Sequence, residues 1–368
     1  MHPNRMADRT GPAAPRPAAR GNAGMSAPAA PEAVHRLRKP YLLFLGDVDH
    51  PAHAKTAAGV RDWTPDDCVA QWRLPGCRAD LDLPELRPAA AAAAGARSML
   101  IGVAVTGGRI PAHWLPMLHE AIDAGLDLVA GLHTRLAAIP ELVEAAGRRG
   151  TRLVDVRVPP ADLPVGTGLK RRGKRLLTVG SDCALGKKYT ALALARAMRA
   201  RGVDAEFRAT GQTGILIAGR GVPLDAVVAD FIAGAAEALT PDAGDDHWDV
   251  IEGQGSIVHP AYAGVTLGLL HGSQPDALVL CHDPTRTHIG SSPHVPIPPL
   301  DELARRYLEA GRLTNPAVRL AGVALNTSAL DAAEGDALIA ATAAALGVPC
   351  FDPLRTPADA VVDSVLRA

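Results

Sequence analysis

From residue 41 onward the chain alternates short apolar runs with amphipathic stretches. Tyr41-Leu42-Leu43-Phe44-Leu45 ends in Gly46-Asp47 and predicts a buried strand feeding a loop. Ser98 to Ala104 predicts a second strand, followed by a turn at Gly107-Gly108. Leu115, Leu118 and Ile122 recur at helical spacing between Ala112 and Ala124, with Gly125 as a C-cap. Leu126 to Ala130 predicts a strand, Pro140 to Arg148 a helix closed by Gly150, and Arg152 to Val156 a strand. Strands alternating with helices predict a parallel sheet. The pattern breaks at Pro159-Pro160 and at Pro164 to Gly168, then resumes with a strand at Arg175 to Val179 and a helix from Lys187 to Arg201. Further strands are predicted at Asp249 to Ile251, Ala277 to Cys281 and Leu320 to Leu325. The expected class is α/β: a disordered tail over 1–37, a Rossmann-like domain over 38–160 and a P-loop NTPase-like domain over 161–368.

The candidate chemistry sits where the second unit begins. Gly180-Ser181-Asp182-Cys183-Ala184-Leu185-Gly186-Lys187 follows a strand and opens a helix. That context makes it a phosphate cradle: glycines let backbone N–H groups turn inward, the helix N-terminus adds partial positive charge, and Lys187 adds a full one. Five residues separate Gly180 from Gly186, and Lys188 stands where a standard loop has the Mg²⁺-binding Ser or Thr. Thr190 and Ser181 are the substitute hydroxyls. Thr210-Gly211-Gln212-Thr213-Gly214 is a second polar glycine loop able to line the same cleft. Glu252 ends a strand, at the edge that faces the ligand crevice in a parallel sheet. Glu252 and His259 are therefore candidate proton acceptors, although a hydrogen-bonded structural role for His259 is equally compatible with the sequence. Asp230, inside an apolar stretch, is preferred to Asp225 as a further catalytic candidate. Asn326 ends a strand where P-loop proteins contact a purine base.

Composition narrows the function classes. The formal net charge is −1 across 368 residues, so no global field attracts nucleic acid. The basic run Lys170 to Arg175 is expected to be a solvated face. The five cysteines are widely spaced and contain no CxxC pair, which argues against a disulfide framework or structural zinc and for a reducing cytoplasm. No apolar run reaches membrane-spanning length. The segment before residue 37 is rich in Pro, Ala, Gly and Arg and is expected to be disordered, with Met25 as an alternative start. No metal site, nucleic acid or membrane partner is expected; a small amino-acid substrate and a homo-oligomer are.

The long spacing of the loop resembles dethiobiotin synthetase and its relatives, as does Glu252-Gly253-Gln254-Gly255, where the Glu of those enzymes helps bind metal. More of the chain, about Lys39 to Asp359, resembles a family long labelled only as a domain of unknown function, which includes the DgcN-type D-glutamate N-acetyltransferases. The resemblance rests on Phe44 to Asp47, Lys55 to Gly59, Asp62-Trp63, Gly131-Leu132-His133, Asp155-Val156-Arg157, Gly180 to Lys187, Ala209 to Gly214, Asp225 to Gly234, Ile251 to Pro260 and Leu269 to Asp276. It departs at Lys188-Tyr189, where relatives tend to have Met-Thr. The resemblance implies acetyl transfer from acetyl-CoA to the amine of D-glutamate, with the P-loop holding coenzyme phosphates. The alternative is an ATP-dependent ligase or kinase using Mg²⁺. Arg157, Arg208 and Lys55 are candidate partners for substrate carboxylates, and Asp47 and His133 candidate cleft residues of the first domain.

Overall fold

The computed structural model describes residues 34–103 and 108–367. The expected tail up to residue 33 and the expected turn residue Gly107 lie outside them. His35–Arg36 (β1), although assigned to the tail, is a strand. It pairs antiparallel with Arg220–Gly221 of the C-terminal half.

The N-terminal half is a parallel sheet of β2 (Tyr41–Gly46), β3 (Cys68–Arg73), β4 (Ser98–Ile101), β5 (Asp127–Ala130) and β6 (Leu153–Asp155). Its spatial order is β3-β2-β4-β5-β6. The order reverses between β2 and β4, and that switch point is where open α/β sheets form their ligand crevice. Helices α1 (Lys55–Trp63), α2 (Pro88–Ala93), α3 (Leu115–Asp123) and α4 (Pro140–Arg149) cover the sheet. Strand β2 is buried along its whole length, as its unbroken apolar run requires. Gly102 is needed beyond β4: a Cβ there would lie 2.4 Å from the Ala57 Cβ, so the start of α1 presses directly on the strand end.

The C-terminal half is a parallel sheet in the order β15-β14-β11-β7-β10-β8. The strands are β7 (Lys174–Gly180), β8 (Ala205–Arg208), β10 (Trp248–Ile251), β11 (Ala277–His282), β14 (Arg319–Leu325) and β15 (Cys350–Phe351). Arg220–Gly221 is β9, and β12 (His288–Ile289) and β13 (Ser292–Pro296) form a separate hairpin. Helices α5 (Lys187–Ala200), α6 (Gln212–Ala218), α7 (Ile232–Leu239), α8 (Ala263–Ser273), α9 (Leu300–Arg312), α10 (Ala332–Leu346) and α11 (Asp359–Leu366) complete it.

The two halves are stitched by side chains. Tyr41 Oη donates to Leu216 O at 3.2 Å and Lys39 Nζ to Ile217 O at 2.9 Å. Trp63 stacks on Tyr189 at 6.0 Å between ring centroids, with the Arg196 guanidinium 4.3 Å from the Trp63 ring centre. The packing of α1 on α6 and α5 brings the carboxyl ends of both sheets to one region. The basic run is not a solvated face throughout. Arg171 donates to Thr240 O at 2.6 Å and Gly272 O at 2.8 Å, and fully buried Arg175 donates to Arg171 O and Arg172 O. Arg175 thus satisfies carbonyls of the connecting loop, and Arg171 ties that loop to carbonyls at the ends of α7 and α8, so these two cations serve the fold. Among the described residues no helix is long and apolar enough to cross a membrane.

Candidate functional site

The loop after β7 carries two residues in the left-handed region, Ala184 (φ 55°) and Gly186 (φ 106°), which turn its backbone into the cradle. It is braced at both ends. Tyr307 Oη, buried on α9, donates to Gly180 O at 2.7 Å and accepts from Ile257 N at 3.0 Å. Asp182 is buried, accepting from Cys183 N at 2.6 Å, Gly290 N at 2.8 Å and Arg286 Nη1 at 3.0 Å. Burial works to raise its pKa, but the two backbone donors and Arg286 overcome that and hold it below the usual carboxylate range. Lys187 opens α5, fully enclosed, with Nζ donating to Asp182 O at 2.7 Å; burial lowers its pKa. Neither Tyr307 nor Arg286 has a motif around it, so the sequence did not reveal either brace.

The substitute hydroxyls are both engaged. Ser181 Oγ pairs with His282 Nδ1 at 2.8 Å. Thr190 Oγ1 donates to Gly186 O at 3.1 Å and accepts from Cys281 Sγ at 3.5 Å. Lys188 points toward the open cleft, its ammonium 4.4 Å from the centre of the Tyr189 ring.

In front of this loop lies a cleft of about 500 Å³ lined by Lys187, Lys188, Lys55, Gln212, Gln254 and Glu252, among others. Glu252 follows β10 and is buried. Its Oε2 accepts from Thr210 N and from Gly211 N, both at 3.0 Å; no hydrogen bond reaches Oε1 among the described residues. Gly214 is required beside it, since a Cβ there would lie 2.1 Å from Glu252 Oε2. Burial pushes the Glu252 carboxyl up to about 7, against the opposing pull of Lys188 and the two backbone donors. Lys188 moves the other way: burial lowers it, Lys55 adds to the lowering, and Glu252 opposes. The site thus sets a buried carboxyl group, pushed up to about 7 by burial, beside the glycine loop and its lysines.

A second cavity of about 380 Å³ adjoins the first, and Thr56, Gln212 and Thr213 line both. It lies beyond the carboxyl ends of β4, β5 and β6, where Ile101, Leu132 and Arg157 line it. Arg157 Nη1 donates to Gln212 Oε1 at 2.9 Å.

Several expected residues are not brought to the cleft. Asp230 is exposed in a short 3-10 turn; the apolar residues around it belong to two different turns rather than one buried face, and Asp225 lines the cleft instead. His259 is buried with Nδ1 accepting from Ala261 N at 3.1 Å and Tyr262 N at 3.2 Å. Its Nε2 pairs with Ser291 Oγ at 3.0 Å. With Nδ1 accepting from backbone donors, the ring turns Nε2 toward the loop, 3.9 Å from Asp182 Oδ1. Asn326 follows β14, outside the cleft lining, and its Oδ1 accepts from Ser328 N at 3.2 Å. Arg208 is spent on Asp249 at 2.5 Å, and Asp47 on Trp114 Nε1 and His113.

Two family models cover the chain. One described as a domain of unknown function, DUF1611_C P-loop domain, matches residues 164–362. Another, DUF1611_N Rossmann-like domain, matches 72–159. The chain belongs to the DUF1611 family. Within it, a protein of Tritonibacter scottomollicae named D-glutamate N-acetyltransferase is 50% identical over 329 residues, covering 89% of this chain and 99% of that one. A protein of the same name from a Pseudoalteromonas species is 46% identical over 327 residues, covering 89% and 98%. A crystal structure of a DUF1611 family protein from Anabaena variabilis superposes with a TM-score of 0.77 at 38% identity, covering 90% of this chain and all of that one.

Proposed function

We infer that the protein is a D-glutamate N-acetyltransferase that uses acetyl-CoA as acyl donor. The reaction comes from its near full-length likeness to two relatives of that name. On the geometric side one observation carries it: a buried carboxyl group, Glu252, held through Oε2 by two backbone donors and lining the same cleft as the glycine loop and Lys187. Acetyl-CoA supplies an activated thioester and a polyphosphate handle. The residues present fit that handle, since the loop offers backbone N–H groups at a helix start together with Lys187, and Lys188 and Lys55 border the same cleft.

The substrate amine arrives as an ammonium and must lose a proton before its lone pair can attack the thioester carbonyl. Glu252 accepts that proton at Oε1, while Thr210 N and Gly211 N hold Oε2 in place. The new N–C bond forms as the C–S bond breaks, and the second proton that the amine nitrogen sheds on becoming an amide passes to the departing sulfur, which ends as the coenzyme thiol. Lys188 contributes positive charge on the side of the cleft where negative charge develops on the acetyl oxygen.

A specific observation weighs against nucleotide cleavage. An ammonium, Lys188, stands at the position of the metal-binding hydroxyl, and the hydroxyls of Ser181 and Thr190 are bonded within the protein. The test is thiol release on mixing protein, acetyl-CoA and D-glutamate, with N-acetyl-D-glutamate identified by mass. Release is expected with acetyl-CoA, and no Mg²⁺-dependent ADP from ATP. Absence of thiol release together with ADP formation would overturn the reading in favour of a ligase or kinase.

A further inference from the structure

The second cavity has no part in holding the donor, yet it shares a wall with the cleft that does. That wall is formed by Thr56, Gln212 and Thr213. On one side Gly211 N donates to Glu252 Oε2. On the other, Gln212 Oε1 accepts from Arg157. Gly211 packs against Glu252 on the first side and Gly131 against Gln212 on the second: a Cβ on Gly211 would sit 3.1 Å from Glu252 Oε1, and one on Gly131 3.7 Å from the Gln212 Cβ. The cavity occupies the ligand crevice of the N-terminal sheet. At about 380 Å³ it is in the range of small-molecule sites. Ile101, Val103, Leu132 and Leu216 supply apolar wall, while Thr56, His133, Arg157, Gln212 and Thr213 supply the polar groups. Gln212 is the only side-chain partner of the Arg157 guanidinium among the described residues.

We propose that this cavity is the acceptor site, and that Arg157 binds the side-chain carboxylate of an acidic amino acid whose amine projects past Gln212 and Thr213 toward Glu252. This rests on the transferase reading and adds what that reading lacks, a site for the amino acid built from the other half of the chain. The guanidinium fork matches a carboxylate in a two-point fashion that an amide cannot copy. Arg157 therefore sets the preference for an acidic over an amide side chain. The donor is held by the C-terminal half and the acceptor by the N-terminal half, so the reacting atoms meet at their junction.

Steady-state kinetics of the full chain and of Arg157→Gln, with D-glutamate and D-glutamine as acceptors, test this. The variant is expected to raise KM for D-glutamate by roughly 10- to 100-fold, leave KM for acetyl-CoA within about twofold, and nearly equalise the two acceptors. Arg157→Lys is expected to recover only part of the loss, since it keeps the charge without the fork. Melting temperature and calorimetric acetyl-CoA affinity, both expected unchanged, separate a binding loss from misfolding. An active wild type whose variant keeps its D-glutamate KM, or weakens both substrates equally, overturns the acceptor site alone. A wild type that releases no thiol with D-glutamate overturns the transferase reading and the acceptor site with it.

Discussion

Replacing Glu252 by Gln should inactivate the protein and at the same time stabilise its fold, with a pH dependence fixed by the site. The substitution is nearly isosteric, and the new side-chain oxygen can still accept from Thr210 N and Gly211 N. What disappears is the ionisable proton. Burial has raised the Glu252 pKa from 4.5 to about 7, and each pKa unit corresponds to about 1.4 kcal/mol. Keeping the carboxylate ionised in the folded state therefore costs about 3 kcal/mol. The folded pKa lies above the unfolded one, so the protonated carboxyl favours folding at low pH. That advantage is lost as pH rises from 4.5 through about 7 and is gone above it. Glu252→Gln should consequently be more stable than wild type by about 3 kcal/mol at pH 8, and by under about 1 kcal/mol at pH 5. Urea unfolding of both proteins at the two pH values measures this, and the difference of differences cancels every other titrating group. The same variant should lose about 10²- to 10⁴-fold in kcat/KM, the usual contribution of a general base. A stability difference that is flat with pH, or that favours wild type at pH 8, would refute the assignment of Glu252 as a strained buried carboxyl.

Two further outcomes follow from the same cleft. Lys188→Met removes a cation that holds the Glu252 pKa down, so the acidic limb of the kcat/KM–pH profile, near 7 in wild type, should move to higher pH; a limb that stays in place would remove Lys188 from the proton-transfer site. Lys187→Ala should weaken acetyl-CoA binding by calorimetry by roughly 10- to 100-fold through loss of a charge-assisted phosphate contact, leaving the affinity for D-glutamate unchanged.

The strands that form the two sheet centres were legible because each is a short apolar run bounded by Gly or Pro. Strand β3 was not: its Gln71 is polar yet buried, satisfied by Asp80 and by Leu81 N, so no alternation survives in Cys68–Arg73. Helices α8 and α10 escaped for the opposite reason, since residues such as Ala263-Gly264-Val265 and Ala340-Ala341-Thr342 present no polar face to set a period. In the site, the cradle and Glu252 could be identified because glycine spacing and strand ends are local features. Asp182's partner Arg286 lies about a hundred positions away, and Tyr307 lies further still. Such braces depend on which loops the fold brings together, which no local pattern encodes. His259 shows the converse: a histidine beside a glycine loop suggested chemistry, but two backbone donors had already taken its lone pair.

The change at position 188 ties these observations together. A hydroxyl there would turn the loop toward a divalent cation, and the carboxylate after β10 would share in holding it. An ammonium at that point brings its own positive charge to the same space, and a bound divalent cation beside it would meet like-charge repulsion in a poorly solvated cleft. The carboxylate is thereby released from metal duty. Burial raises the Glu252 pKa; Lys188 and the two backbone donors oppose that rise, and the result lies at about 7. On the proposed reading, the lysine at position 188 brings a cation of its own to the phosphate-binding loop and opposes the rise of the base beside it. On that reading a P-loop grips coenzyme phosphates while the chemistry takes place at the neighbouring strand end.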